Sequence, residues 1–146
     1  MNHLFDLFGR IMMSAIFVFE AIDSIMYAEQ TKKTMQEYGI FWKPDLLLYL
    51  SISMLLLGAL LLLTGYRIRF GVLLLLLYWI PVTCIVYSFW NDPADTQRLN
   101  AILFMKNIAI AGGLLIIAAH GGGKFSIKRI MRVSKIPNNE SKRLLG

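Results

Sequence analysis

The chain has 146 residues, a formal net charge of +6 and one cysteine, and 57% of its residues are hydrophobic. A mean hydropathy of +0.59 is too high for an ordinary soluble domain, and a single thiol excludes an intrachain disulfide or a Cys-x-x-Cys redox motif. Four hydrophobic stretches each approach the ~20 residues that cross a bilayer core. The sequence therefore predicts an all-α integral membrane protein, a four-helix bundle over residues 1–123, followed by a basic tail over 124–146.

The first predicted span, approximately 4–27, carries two acids, Glu20 and Asp23, near its outer end. Ionisable residues are rare in membrane helices, usually face the bundle interior and often mark a functional site. Asp6 and Arg10 form an i, i+4 pair near the other end, which we interpret as stabilising. The segment has no basic n-region, so we expect a retained helix and not a cleaved signal peptide.

The connection 28–44 mixes aromatic residues with charges, which predicts a short amphipathic helix on the outer surface of the membrane. The second and third spans, approximately 45–65 and 70–89, are joined by so short a connection that we expect antiparallel neighbouring helices. Pro81 lies near the middle of the third span and should kink it, because proline lacks the N–H that a helix needs.

A stripe of three side chains at successive spacings of four residues runs along the third span. Its members are Trp79, Thr83 and Tyr87. The stripe either packs within the bundle or forms one wall of a pocket for a flat apolar molecule such as a quinone, which needs aromatic walls and few polar contacts. No cofactor is firmly implied, and quinone is the one candidate. No metal site is predicted, because the sequence lacks the clustered ligands that such a site needs.

The fourth span, approximately 99–119, contains Lys106 followed directly by Asn107. If the first helix runs outward and the fourth inward, Glu20 and Lys106 both lie roughly 10 Å below the outer ends of their spans. The matching depth predicts a buried cluster of Glu20, Asp23, Lys106 and Asn107. Such a cluster is either a structural ion pair that fixes the helix register or a functional site.

Positive charge predicts the orientation of the chain. The tail and the connection between the second and third spans are rich in lysine and arginine, and the positive-inside rule places them, with both termini, in the cytoplasm. We expect the tail to contact anionic lipid headgroups or a protein partner, and not nucleic acid, because it adjoins a membrane anchor and lacks interleaved aromatic residues. The residues predicted for this contact are Lys124, Lys128, Arg129, Arg132 and Lys135.

Several short motifs, in their order along the chain, resemble the DoxX family of small four-helix membrane proteins and its DoxD-like members. They are Arg10 followed by Phe17, Tyr38-Gly39-Ile40, Gly58 through Gly65 followed by Arg69, Phe89-Trp90, and Phe104-Met105-Lys106-Asn107 followed by Gly112-Gly113 and Gly121-Gly122-Gly123. The resemblance covers most of the chain up to about Ile127. It implies a link to membrane oxidoreductase complexes or to thiosulfate:quinone oxidoreduction, with which some DoxX and DoxD relatives are associated.

Three functions are compatible with this sequence in a bacterial-type cytoplasmic (inner) membrane. The leading interpretation is an accessory or structural subunit of a membrane complex, redox-linked if it follows the family. One alternative is a quinone-reactive oxidoreductase subunit that uses an intramembrane Glu/Asp/Lys site, and another is a component of an ion or proton pathway. The expected partners are membrane lipids and either another protein or a second copy of this chain. The sequence assigns no catalytic residue.

Overall fold

A computed structural model describes residues 2–121, and the regular structure of this part of the chain is entirely helical. Its helices are α1 (Asn2–Met26), α2 (Ala28–Glu37), α3 (Pro44–Thr64), α4 (Ile68–Val86) and α5 (Ala94–His120), with one 3₁₀ turn at Phe89–Asn91. Three of them are long and apolar enough to cross a membrane: α3, α4 with its extension to Asn91, and α5. The prediction of an all-α protein with membrane-crossing helices is therefore confirmed.

The first helix meets the same test only together with α2, which is bent away from it by 92°. The charged side chains of α1 lower its hydropathy, so its apolar stripe is less continuous than those of α3 and α4. Each of the four predicted spans overlaps one long helix. Helix α5 begins earlier than the predicted residue 99, because Pro93 stands at its N-cap and its first turns are polar. The predicted basic tail, 124–146, lies outside the described residues.

Helices α3 and α4 form an antiparallel hairpin with a connection of only three residues, 65–67. Gly65 ends α3 with a φ of 70°, and its N–H donates to the carbonyl of Leu62. Glycine adopts a positive φ of this size without the steric cost of a side chain, and a glycine in this conformation is a common way to end a helix. The short basic connection predicted from the sequence is thus a tight turn that reverses the direction of the chain.

The two arms of the hairpin approach closely at Gly58 of α3 and Gly71 of α4. A Cβ atom built on Gly58 would lie 2.6 Å from Cγ of Leu75 and 3.2 Å from the carbonyl oxygen of Gly71. A Cβ atom on Gly71 would lie 2.8 Å from Cβ of Leu61. Small residues allow such close backbone approach in membrane helices, where van der Waals packing and not water drives association.

The long helices pack in the order α1 on α3, α3 on α4 and α4 on α5, with a smaller contact between α5 and α1. The core between them contains Phe17, Leu55, Leu75 and Leu114, each fully buried. Many large hydrophobic side chains point outward instead and are exposed, which is the arrangement that a lipid environment favours. The core therefore lies between the helices while an apolar surface surrounds them.

Helix α2 is tied to both arms of the hairpin. The ammonium of Lys32 lies 2.7 Å from Oε1 of Glu29 and 2.9 Å from Oδ1 of Asp45 in the first turn of α3. At the other end of α2, the hydroxyl of Tyr38 donates to the carbonyl oxygen of Val86, which ends α4, at 3.1 Å. The predicted amphipathic segment is thus a helix that turns sharply away from α1 and lies across α3 and α4.

The ion pairs of Lys32 with Glu29 and Asp45 should determine how stably α2 packs against α3. Its hydrogen bonds to Glu29 and Asp45 raise the pKa of Lys32 above the usual value for lysine. A raised pKa means that the contribution of the bridge is fully present below the unfolded pKa of about 10.4 and is lost as the pH rises through the higher folded value. We expect Lys32→Met to speed hydrogen exchange in α2 severalfold at neutral pH, while the neighbouring Lys33→Met does not. Equal exchange rates in the two variants would contradict this role.

Candidate functional site

The structure separates the residues of the predicted intramembrane cluster. Glu20 and Asn107 are half-buried, whereas Asp23 and Lys106 are exposed. Among residues 4–121, whose side chains are described, no ion pair joins Lys106 to either acid. The four side chains are therefore not brought together as one buried group.

The rotation of α5 explains why Lys106 faces outward. Ala111 and Leu114 mark the buried face of α5, and Asn107 lies four and seven residues before them, on the same face. Lys106 is turned away by about 100°, the rotation of one helical residue. It lines a shallow depression on the outside of α5 with Arg98 and four apolar residues. These are Ala101, Ile102, Met105 and Ala109.

The predicted match in depth is consistent with the packing of α1 on α5. A Cβ atom on Gly113 would lie 3.1 Å from the terminal methyl group of Met13, so these residues stand at one level of two antiparallel helices. Glu20 and Lys106 each lie seven residues beyond that contact, about 10 Å along the helix axis. The two charges thus share a level but occupy different faces.

The stripe on α4 is turned toward the core. The Trp79 indole Nε1–H donates to the carbonyl oxygen of Asn107 at 3.1 Å, and its ring packs edge-on against Phe17 with 5.1 Å between centroids. Thr83 is also buried, and its hydroxyl has no hydrogen-bond partner among the described residues. Tyr87 is half-buried. Of the two interpretations of the stripe, this geometry supports packing for Trp79.

The half-buried Glu20 of α1 has two tyrosines in its surroundings, Tyr78 of α4 and Tyr87, which directly follows α4. Its carboxyl group is within electrostatic range of the hydroxyls of Tyr78 and Tyr87. This neighbourhood differs from the predicted one, because phenol groups lie within electrostatic range of Glu20, whereas no ion pair among residues 4–121 joins it to Lys106. Tyr87 is the one predicted residue of the stripe that belongs to it.

A cavity of about 380 Å³ lies between α2, α3 and α4. Tyr78, Pro81 and Val82 form its wall on α4, while Trp79, Thr83 and Tyr87 do not line it. The predicted pocket wall is thus displaced to the neighbouring face of the same helix, because the indole of Trp79 is turned into the core. The sequence signal that pointed to this place was Pro81, whose expected kink can open space beside a helix.

Arg10 is the most deeply buried charged side chain of the described residues. Its side chain has no exposed surface, and its Nε lies 3.4 Å from Oδ2 of Asp6. None of its three nitrogens has a hydrogen-bond partner within the described part of the chain. The sequence analysis identified the pair with Asp6 but not this burial, which hydropathy alone does not reveal.

No group of three or more histidine, cysteine, aspartate or glutamate side chains in the described region could hold a metal ion. The buried hydroxyl-bearing side chains among residues 4–121 are Ser14, Ser24 and Thr83. What this part of the molecule offers is an apolar cavity, an outward-facing lysine and a buried arginine.

The model of the DoxX family matches residues 5–88, more than half of the chain. The chain belongs to the DoxX family. Two inner membrane proteins of Escherichia coli strain K12 are similar to it over most of its length. YphA is 28% identical over 84% of this chain and 87% of its own, and YqjF is 28% identical over 86% and 90%. No solved structure gives a significant match. These findings confirm the resemblance noted in the sequence and identify an integral inner membrane protein.

Proposed function

We propose that this DoxX-family chain crosses the inner membrane four times, with both termini in the cytoplasm, and serves as an accessory or structural subunit of a membrane complex. The observation that carries this proposal is the exposed Lys106 on the outer face of α5. A redox-linked complex is the kind that the family resemblance implies.

The topology is supported by the positions of the helix ends. Four helix ends lie on one side of the molecule, because the long helices alternate in direction along the chain. They are the start of α1, the end of α3, the start of α4 and the end of α5. That side carries exposed Arg67 and Arg69 and precedes the basic tail. The opposite side mixes acids with bases in α2 and the first turns of α5. The positive-inside rule then favours a cytoplasmic location for the first side.

The role as a subunit rests on the surroundings of Lys106. Of the three helices that qualify as spans, α5 is the least enclosed, with 11% of its most apolar window buried against 33% for α3. An unpaired ammonium on a lipid-facing helix costs up to about 2.5–3.5 kcal/mol, the value that insertion scales give for the helix centre. A carboxylate on a neighbouring membrane helix would offset that cost, because oppositely charged groups attract strongly where water is scarce.

The quinone-reactive alternative receives less support from the geometry. Its predicted wall required Trp79 to face a pocket, and the indole is engaged with Phe17 and Asn107 instead. The ion-pathway alternative required the charges to line up between the helices, and Asp23 and Lys106 are exposed on the outside. The role as a subunit requires a polar contact on the outside of the bundle, and the exposed Lys106 is in a position to make one.

Substitution of Lys106 should test the role as a subunit. We expect Lys106→Met to lose a protein that co-purifies with the wild-type chain in mild detergent, by about tenfold or more, the loss expected for one charge-assisted contact of about 1.5–3 kcal/mol. Lys106→Arg, which keeps the charge, should retain the partner, and Leu115→Met on another exposed face of α5 should have no effect. Retention of every partner by Lys106→Met, at an unchanged protein level, would overturn the proposal.

A further inference from the structure

The cavity between α2, α3 and α4 is partly open, and the helices that form its walls are tied to one another. Helix α2 forms its roof through Thr34 and Tyr38, and the hydrogen bond from Tyr38 to Val86 ties that roof to the end of α4. Lys32 ties the same helix to the start of α3. The cavity has a volume of about 380 Å³, which falls within the range of small-molecule sites, and such sites are usually largely preformed.

The chemistry of the walls restricts what can enter. None of the side chains that line the cavity carries a charge, and most are aliphatic, such as Leu50, Met54 and Val82. An anionic or cationic ligand would lose its hydration there without gaining a counter-ion, which is strongly unfavourable. The occupant is therefore neutral and largely apolar.

Several polar groups nevertheless lie along the walls, and three of them belong to α3 and α4. Ser51 of α3 and Tyr78 of α4 each contribute a hydroxyl that can donate or accept. Pro81 has no N–H, so the carbonyl of Leu77, four residues earlier, lacks its usual helical donor. Leu77 and Pro81 both line the cavity. A carbonyl deprived of its donor requires another, because unsatisfied backbone groups are costly in an apolar environment.

We propose that this cavity binds a neutral apolar molecule bearing a hydroxyl group, such as a long-chain alcohol or a prenol. The ligand hydroxyl donates to the Leu77 carbonyl and shares hydrogen bonds with Ser51 and Tyr78, while its hydrocarbon body lies against the aliphatic side chains. An oxidised quinone has acceptors only and cannot satisfy that carbonyl, so it binds more weakly. This inference is independent of the partner proposed for α5, which is a different surface.

Photolabelling of the full chain in lipid nanodiscs would test this site. The probe is a long-chain alcohol with a diazirine in its chain, and the labelled residues are mapped by mass spectrometry. We expect saturable labelling of α3 and α4 at the cavity, competed by the unlabelled alcohol. Tyr78→Phe, which removes one hydroxyl without filling space, should weaken the competition about fivefold, the effect of one hydrogen bond. An unchanged competition in this variant would count against the proposed contact.

Two tryptophan substitutions on α3 separate the cavity from general lipid contact. Met54→Trp fills the cavity and should abolish the saturable labelling, whereas Leu57→Trp on the exposed face of the same helix should leave it intact. Equal labelling in both variants would mean that the probe reports the lipid surface only, and would overturn the inference. So would equal competition by a fatty acid or by an alkane of matched length, and preference for an oxidised quinone would reassign the site to an acceptor ligand.

Discussion

Adding one methyl group at Gly58 is expected to destabilise the protein by about 1–3 kcal/mol, the usual cost of overpacking a close contact. The new Cβ atom would lie 2.6 Å from Leu75 and 3.2 Å from the backbone of Gly71. The shorter contact is to a side chain that is fully buried and has little room to move, and the longer one is to the backbone of α4, which yields only if α3 and α4 separate. The free energy of unfolding of Gly58→Ala, measured by titration with a denaturing detergent, checks this expectation.

Gly112 provides the matched control, because a Cβ atom there meets nothing within 4 Å. Gly112→Ala should therefore be neutral or slightly stabilising, since alanine favours a helix more than glycine does. Shortening the opposing side chain adds a second check. The cost of Gly58→Ala with Leu75→Ala should be less than the sum of the single costs by about 0.5–3 kcal/mol, as for residues in direct contact. Strict additivity would show that the two residues do not meet.

Loss of the charge on Asp6 is expected to cost about 3 kcal/mol, because it leaves the buried guanidinium of Arg10 without its counter-ion. This value is at the lower end for a buried pair, because 23% of the Asp6 side chain is exposed. The substitution Asp6→Asn removes the charge and keeps the shape. The same denaturing titration measures its effect, with Asp23→Asn, an exposed acid on the same helix, as the control.

The double variant is the decisive comparison for this pair. Asp6→Asn combined with Arg10→Met should recover most of the loss and return to within about 1 kcal/mol of the wild-type chain, since an apolar replacement of a buried ion pair is often neutral or better. Recovery of the free energy of unfolding would show that Asp6 stabilises the fold only by neutralising the buried guanidinium of Arg10. If the double variant is as unstable as Asp6→Asn, Arg10 must contribute more to the fold than its contact with Asp6.

The helices and their membrane character follow from the sequence because hydropathy and length report lipid exposure directly. Rotation about the helix axis does not follow for α3, which is leucine-rich all round. On α4 the stripe at Trp79 and Thr83 marks the buried face, but it does not indicate that the neighbouring face at Tyr78 lines a cavity. Matching depth placed Glu20 and Lys106 at one level, but depth cannot decide which of the adjacent residues Lys106 and Asn107 faces inward.

The contrast between α1 and the hairpin of α3 and α4 has a consequence for how the chain enters the bilayer. The hairpin has two leucine-rich arms and a connection of three residues, so it can insert as one unit with little help. Acidic side chains within a membrane helix raise the free energy of its insertion, and α1 carries Glu20 and Asp23 near its C-terminal end. Its Ser14 hydroxyl also needs the carbonyl of Ala59 as an acceptor, at 3.2 Å. We therefore expect α1 to be held stably in the bilayer only once it packs on the hairpin.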